Sequence, residues 1–195
     1  MDKVARTAQP VHELIANRWS PRAFTEESVT REQVHSLLEA ARWAPSCYNN
    51  QPWRYIVARK EDEEGFERLA SCLVDGNSWA KEAAVLMLSV AKQTFDHNDK
   101  PNRHAFHDVG LASENLVLQA EALGLSTHQM AGFQVDRARE VLGIPEGYDP
   151  VAMIAIGHRG DPDGLPDNLK ERELSKRERK PLEEIGFGSK WGEAL

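Results

Sequence analysis

The stretch Ala83–Ala91 (AAVLMLSVA) holds one polar side chain, Ser89, in nine residues. A run this short and continuously apolar reads as a strand covered on both faces, which places it in the interior of a sheet with a layer on either side. Val151–Ile156 is a second such strand and ends at Gly157. Two covering layers must come from helices. The longest candidate, from about His104 to Leu123, carries Val109, Ala112, Leu116, Leu118, Ala120 and Leu123 with few polar interruptions. Such a helix is buried around much of its circumference, and Gly124 suits the position just past its end.

The other elements follow from period and punctuation. A short helix is expected over Val11–Arg18, halted before Ser20-Pro21. Thr30 with Gln33 forms a capping box, and Val34, Leu37, Leu38, Ala41 and Ala44 make a core-facing stripe that stops at Pro45. Ser46–Pro52 is loop chemistry, Arg54–Arg59 a strand, Asp62–Leu73 a modest helix, Asp75–Asn77 a turn and Asp136–Leu142 a short helix. Lys92–Arg103 is polar and rich in turn residues. Helices and strands interleave without a strict βαβ rhythm, so the expected class is α+β. The charged segment from Asp161 to Leu195 has no core stripe, yet it carries Leu182, Ile185, Phe187 and Trp191. It is expected to wrap another subunit rather than fold on its own surface.

Length and charge narrow the function. A chain of 195 residues fits one domain, expected over 1–195 with a core about 11–160 and an extension 161–195. With 24 Lys and Arg against 31 Asp and Glu, the net charge of −7 argues against a nucleic-acid binder. Cys47 and Cys72 form no paired metal motif, which fits a reduced, cytoplasmic setting. The start, Met1 to Thr7, has no apolar stretch like that of a secretory leader, and no apolar run approaches the roughly 20 residues of a membrane helix.

Four clusters could carry chemistry. Arg18-Trp19-Ser20-Pro21-Arg22 sets two guanidiniums around a hydroxyl where proline frees backbone groups, a pattern suited to phosphate oxygens. Ala44–Trp53 (APSCYNNQPW) offers amide side chains that match the polar edge of a heterocycle. Ala122–Phe133 runs from the long helix into an expected loop whose Ala131 and Gly132 let a planar ligand approach the backbone. Lys176–Leu182 (KRERKPL) is basic within a stretch that is neutral overall. No G-x-G-x-x-G after a strand and no G-x-x-x-x-G-K-[ST] occurs, so no separate dinucleotide or nucleoside-triphosphate fold is expected. His104, His107 and Asp108 share a helix face, but a metal site needs a further ligand, and none is expected.

In content, order and spacing these pieces resemble the FMN-dependent nitroreductase family from about Val11 to Ile185. The matching motifs are R-x-S-x-R, APSxxNxQPW, the D-x-G-x-A-x-x-N-L-x-L-Q-A-x-A-L-G-L helix (Asp108 to Leu125), the Gly132-Phe133 pair and a late R-x-R-x-P-L. The resemblance implies a three-layer sandwich with a mostly antiparallel central sheet flanked by helices, and a C-terminal arm exchanged in a homodimer. It implies FMN as cofactor, NADH or NADPH as electron donor, and hydride transfer in turn through flavin N5 to small oxidised organic substrates such as nitroaromatics or quinones. A flavin carrier or redox-sensing module is the alternative. Carried over residue by residue, Arg18 and Ser20, with Trp19 between them, would hold the phosphate and ribityl end, joined by Arg177 and Arg179. Arg22 would lie near the pyrimidine N1 and C2 carbonyl. Asn49 would line the flavin, while Pro45, Ser46 and Cys47 would approach the partner subunit's flavin. Gln129, Met130, Ala131 and Gly132 would run along the ring, with the Ala131 backbone near N5. A mid-chain residue, Asn77 or Lys81, would complete the site. No side chain needs to act as nucleophile, because the flavin carries the chemistry.

Overall fold

The computed structural model describes residues 3–195; Met1 and Asp2, the first residues of the polar start, lie outside the described residues. Four strands form one antiparallel sheet in the order β1-β2-β4-β3. They are β1 (Trp53–Arg59), β2 (Val85–Lys92), β3 (Ser126–Met130) and β4 (Tyr148–Gly157). The two runs that read as doubly covered, β2 and β4, are the two central strands. Successive side chains of β2 point to opposite faces. Val85, Met87 and Ala91 pack with Val34, Leu37 and Ala41 of α2 (Arg31–Arg42) and Val109, Ala112 and Leu116 of α4 (Ala105–Ala122). Leu86, Leu88 and Val90 pack with Phe66 and Leu69 of α3 (Glu63–Ala70), with Trp79, and with Ala138 of α5 (Val135–Leu142). Each fully buried Leu, Met or Ile in this sandwich contributes about 1.5–3 kcal/mol relative to exposure. Ser89 sits where the β2–β4 register shifts; its hydroxyl donates to the Ala152 carbonyl and accepts from the Ala152 N–H.

The expected elements form with small changes at their ends. The capping box at Thr30 is present in both halves, with Thr30 Oγ1 accepting from Gln33 N–H and Gln33 Oε1 accepting from Thr30 N–H. The first helix, α1 (Glu13–Asn17), is shorter than Val11–Arg18 because the His12 side chain caps it and Arg18 already has extended backbone angles. The Asp75–Asn77 turn extends into a 3-10 segment over Asp75–Glu82.

Two larger differences bear on function. The segment after Gly124 is the edge strand β3 rather than a loop. Its pairing with β4 buries Ser126, Thr127 and Met130. The C-terminal segment also does not wait for a partner along its whole length. Residues 167–174 form α6 (Asp167–Leu174), which docks on its own chain by burying Glu173. Beyond it, Leu182, Ile185 and Trp191 stay exposed, Trp191 at 90 %. Residues 23–25 and 158–160 run antiparallel: Thr25 N–H donates to His158 O, Gly160 N–H donates to Ala23 O, and Phe24 bridges Arg159. That pairing fixes the Arg18–Arg22 turn beside the end of β4.

Candidate functional site

The arginine pieces, separated by more than 150 residues in sequence, meet. Arg18, Trp19, Ser20 and Arg22 line one pocket of about 210 Å³ together with Arg177 and Arg179. Lys3, Arg172, Ser175 and Lys176 complete the lining. Seven of the ten lining residues are cationic and none is acidic, while the Glu173 carboxylate behind them lies 3.7 Å from Arg22. Arg18 Nη1 lies 3.4 Å from Ser20 Oγ. Lys3 Nζ and the Arg159 guanidinium lie 5.1 and 5.2 Å from the centroid of the Trp19 ring, so its π-face meets two cations. The Trp19 indole N–H is buried and has no acceptor among the described residues. Burial and the neighbouring Arg18 and Arg179 hold Arg177 below the ordinary guanidinium pKa. A crowd of like charges beside a buried, unpartnered donor is a costly arrangement. A phosphate group, with several acceptor oxygens and about two negative charges, relieves the crowding of like charges. The residues therefore fit the phosphate end of FMN.

Beneath this pocket the turn is held by buried groups. Pro21 O accepts from His128 Nδ1 at 3.0 Å. The His128 ring lies 4.6 Å from that of Trp79, which in turn sits 5.8 Å from the Arg22 guanidinium. Burial is the main cause that pushes the His128 imidazole down to about 4, with Arg22 adding to the effect. At neutral pH it is a fixed, uncharged donor.

Four expected residues lie on or after β3, namely Gln129, Met130, Ala131 and Gly132. Gln129 is exposed, whereas the Met130 side chain is buried in the core, so at that position only backbone can meet a ligand. Ala131 is exposed, and Gly132 O accepts from Asn77 Nδ2 at 2.9 Å. A Cβ on Gly132 would come within 2.6 Å of that same amide nitrogen, so the position has no room for a side chain while Asn77 stays in place. Of the two mid-chain candidates, Asn77 thus adjoins this segment, and Lys81 is exposed on the 3-10 segment.

The Pro45–Gln51 loop lies apart from the cationic pocket within one chain, for none of its residues lines it. Tyr48, Asn49 and Gln51 all have positive φ, near 50°. Non-glycine residues in this region cost on the order of 1–3 kcal/mol each, and they persist where surrounding bonds enforce them. Here Cys47 N–H donates to the buried Asp108 carboxylate at 3.0 Å and Gln51 N–H to Ser46 Oγ at 3.0 Å. Asn50 is buried between the Thr94 carbonyl and the Asp96 N–H. Asn49 and Tyr48 face outward, Tyr48 at 80 % exposure.

The model of the family described as "Nitroreductase family" matches residues 15–158. The chain belongs to that family. A solved structure described as "the oxidoreductase containing FMN" is 37% identical, with a TM-score of 0.92, covering 99% of this chain and 98% of that one. A Mycolicibacterium smegmatis protein named "Uncharacterized 15.4 kDa protein in ask 5'region" is 37% identical over 73% of this chain and 99% of its own length. The "FMN reductase [NAD(P)H]" of Bacillus subtilis is 26% identical over 82% of this chain and 70% of its own. The α+β nitroreductase fold follows from this membership and from the antiparallel sheet.

Within this nitroreductase-family chain, Arg177 is partly committed elsewhere. Its Nη1 donates to Lys3 O and Ala16 O, at 2.6 and 2.7 Å, and so pins the N-terminal segment to the pocket. Lys3, Arg172, Ser175 and Lys176 were not singled out as ligands by the motifs. Only Lys176 lies within a basic run, and Lys3 and Arg172 have no signal in the sequence beyond their charge. Among the described residues no three His, Cys, Asp or Glu side chains are grouped to hold a metal, and no helix is long and apolar enough to cross a membrane. Cys47 and Cys72 are free thiols.

Proposed function

We propose that the chain is an FMN-dependent oxidoreductase that uses NAD(P)H to reduce small oxidised organic molecules, nitroaromatics or quinones among them. The observation that carries this reading is the convergence of Arg18, Ser20, Arg177 and Arg179 on one pocket whose lining holds seven cations and no carboxylate. When bound, FMN supplies a ring that accepts hydride from the nicotinamide and passes it to the acceptor. The chain's own residues bind and orient. Arg18, Ser20, Arg177 and Arg179 hold the phosphate, with the Trp19 ring packed against Lys3 and Arg159 beside them. Arg22 takes the pyrimidine edge, where a fixed cation favours negative charge. Gln129, Met130, Ala131 and Gly132 present backbone along the ring, their position fixed by Asn77.

The Pro45–Gln51 loop belongs to the other half of the site. In this reading two chains form a cytoplasmic homodimer of single-domain subunits, and Pro45, Ser46, Cys47 and Asn49 reach the partner subunit's flavin. The exposed Leu182, Ile185 and Trp191 at the end of the chain support such a partner. Anaerobic mixing of the purified protein with NADH or NADPH tests the proposal. Bound flavin should bleach at catalytic rates and recover its colour on adding a quinone or nitroaromatic. Colourless protein that takes up no FMN would contradict it, and coloured protein that bleaches slowly or not at all would point to a flavin carrier.

A further inference from the structure

The cationic pocket draws its walls from two ends of the chain, and one buried carboxylate joins them. Glu173 on α6 is 1 % exposed. It accepts the Arg22 N–H through both carboxylate oxygens, at 2.9 and 3.0 Å, and the Ala23 N–H at 3.3 Å. Its Oε2 also lies 3.7 Å from the Arg22 guanidinium. On one side it therefore fixes the Arg18–Arg22 turn. On the other, its own neighbours in sequence, Arg172, Ser175, Lys176, Arg177 and Arg179, line the pocket. Lys3 is near enough for its ammonium to feel the carboxylate, and it donates to Ser175 O.

We propose that Glu173 is a positioning residue of the phosphate site, the carboxylate that registers the C-terminal cations against the Arg18–Ser20 turn. The role rests on the flavin reading above. It has an unusual sign. A carboxylate beside an anion site weakens anion binding through charge alone, so removing its charge should strengthen the grip on phosphate. Positioning demands the reverse. Gln at 173 keeps an oxygen where Oε1 accepts from both backbone N–H groups, but it sets an amide NH2 where Oε2 now meets the Arg22 N–H and guanidinium, donor against donor. The turn and α6 then lose their common register, and the cations no longer converge.

The test compares wild type, Glu173→Gln and Glu173→Asp, each stripped of flavin, for affinity toward FMN and riboflavin by flavin fluorescence. Circular dichroism confirms the fold in each case. Riboflavin lacks the phosphate, so it reports damage elsewhere in the site. Wild type should prefer FMN strongly, and Glu173→Gln should lose at least tenfold of that preference. Glu173→Asp keeps the charge with a shorter reach and should fall between the two; it carries the test alone if the Gln variant does not fold. FMN affinity that is unchanged or tighter in Glu173→Gln, or an equal loss for both flavins, would overturn the role of Glu173. A wild-type chain that binds neither flavin would overturn the flavin reading, and this role with it.

Discussion

The cationic pocket and the Ser46–Gln51 loop are built in opposite ways. In the pocket, like charges crowd together and a buried indole N–H lacks an acceptor. In the loop, the donors of Cys47 and Gln51 are matched by Asp108 and Ser46, and the strain lies in backbone angles instead. The first arrangement is suited to an anion. The second is already complete and offers a shape. A ligand with a charged end and a planar uncharged end would use the two differently, gaining affinity at the pocket and fit at the loop.

The sharpest way to separate them is Arg18→Ala combined with Arg179→Ala. Each charge-assisted bond to phosphate is worth about 1.5–3 kcal/mol, so the pair should weaken FMN binding by at least 100-fold and yield largely flavin-free protein. The ratio of flavin to protein absorbance reads this directly, and full occupancy would show the pocket to be no phosphate site. The next effect in size comes from His128 beneath the pocket. Its imidazole is held near 4 in the native state against an ordinary value of 6.5. The unfolded chain therefore binds the proton more readily between these values. Stability should be at its full level above pH 6.5 and fall by up to about 3 kcal/mol as pH drops to about 4. Denaturant melts across that range check it, and His128→Asn should flatten the slope.

Asp108→Ala acts on the loop. It leaves the part-buried Cys47 N–H without its acceptor and should cost about 1 kcal/mol of stability. Because the loop does not line the phosphate pocket, FMN and riboflavin affinities should shift by the same factor. A loss confined to FMN would erase the contrast between the two regions. The smallest change is Gly132→Ala, which displaces the Asn77 amide from the Gly132 carbonyl and should cost about 1 kcal/mol in a denaturant melt.

How much of this was legible in the sequence varies with the physics of each part. The central strands and α2 announce themselves, because continuous apolar runs and a capping box are local signals. The arginines of the pocket stand in separate motifs, and their meeting depends on tertiary structure, including the pairing of residues 23–25 with 158–160. β3 was missed since STHQM is polar by composition; as a short edge strand it buries Ser126 and Thr127 through pairing with β4 rather than through an apolar pattern. α6 was missed for a related reason. Its docking joins one apolar contact, Leu169 on the core, to a carboxylate capturing backbone N–H groups 150 residues away, and no periodicity encodes such a bond. Lys3 and Arg172 reach the pocket by the same route, carried by elements whose placement only the fold decides.

The central claim is that the pocket of Arg18, Ser20, Arg177 and Arg179 exists for a phosphate. Comparing FMN with riboflavin on flavin-stripped wild type, at low and high salt, tests it most directly. FMN should bind at least 100-fold more tightly at low salt, and the advantage should shrink as added salt screens the cations. Equal affinities, or a preference indifferent to salt, would contradict it.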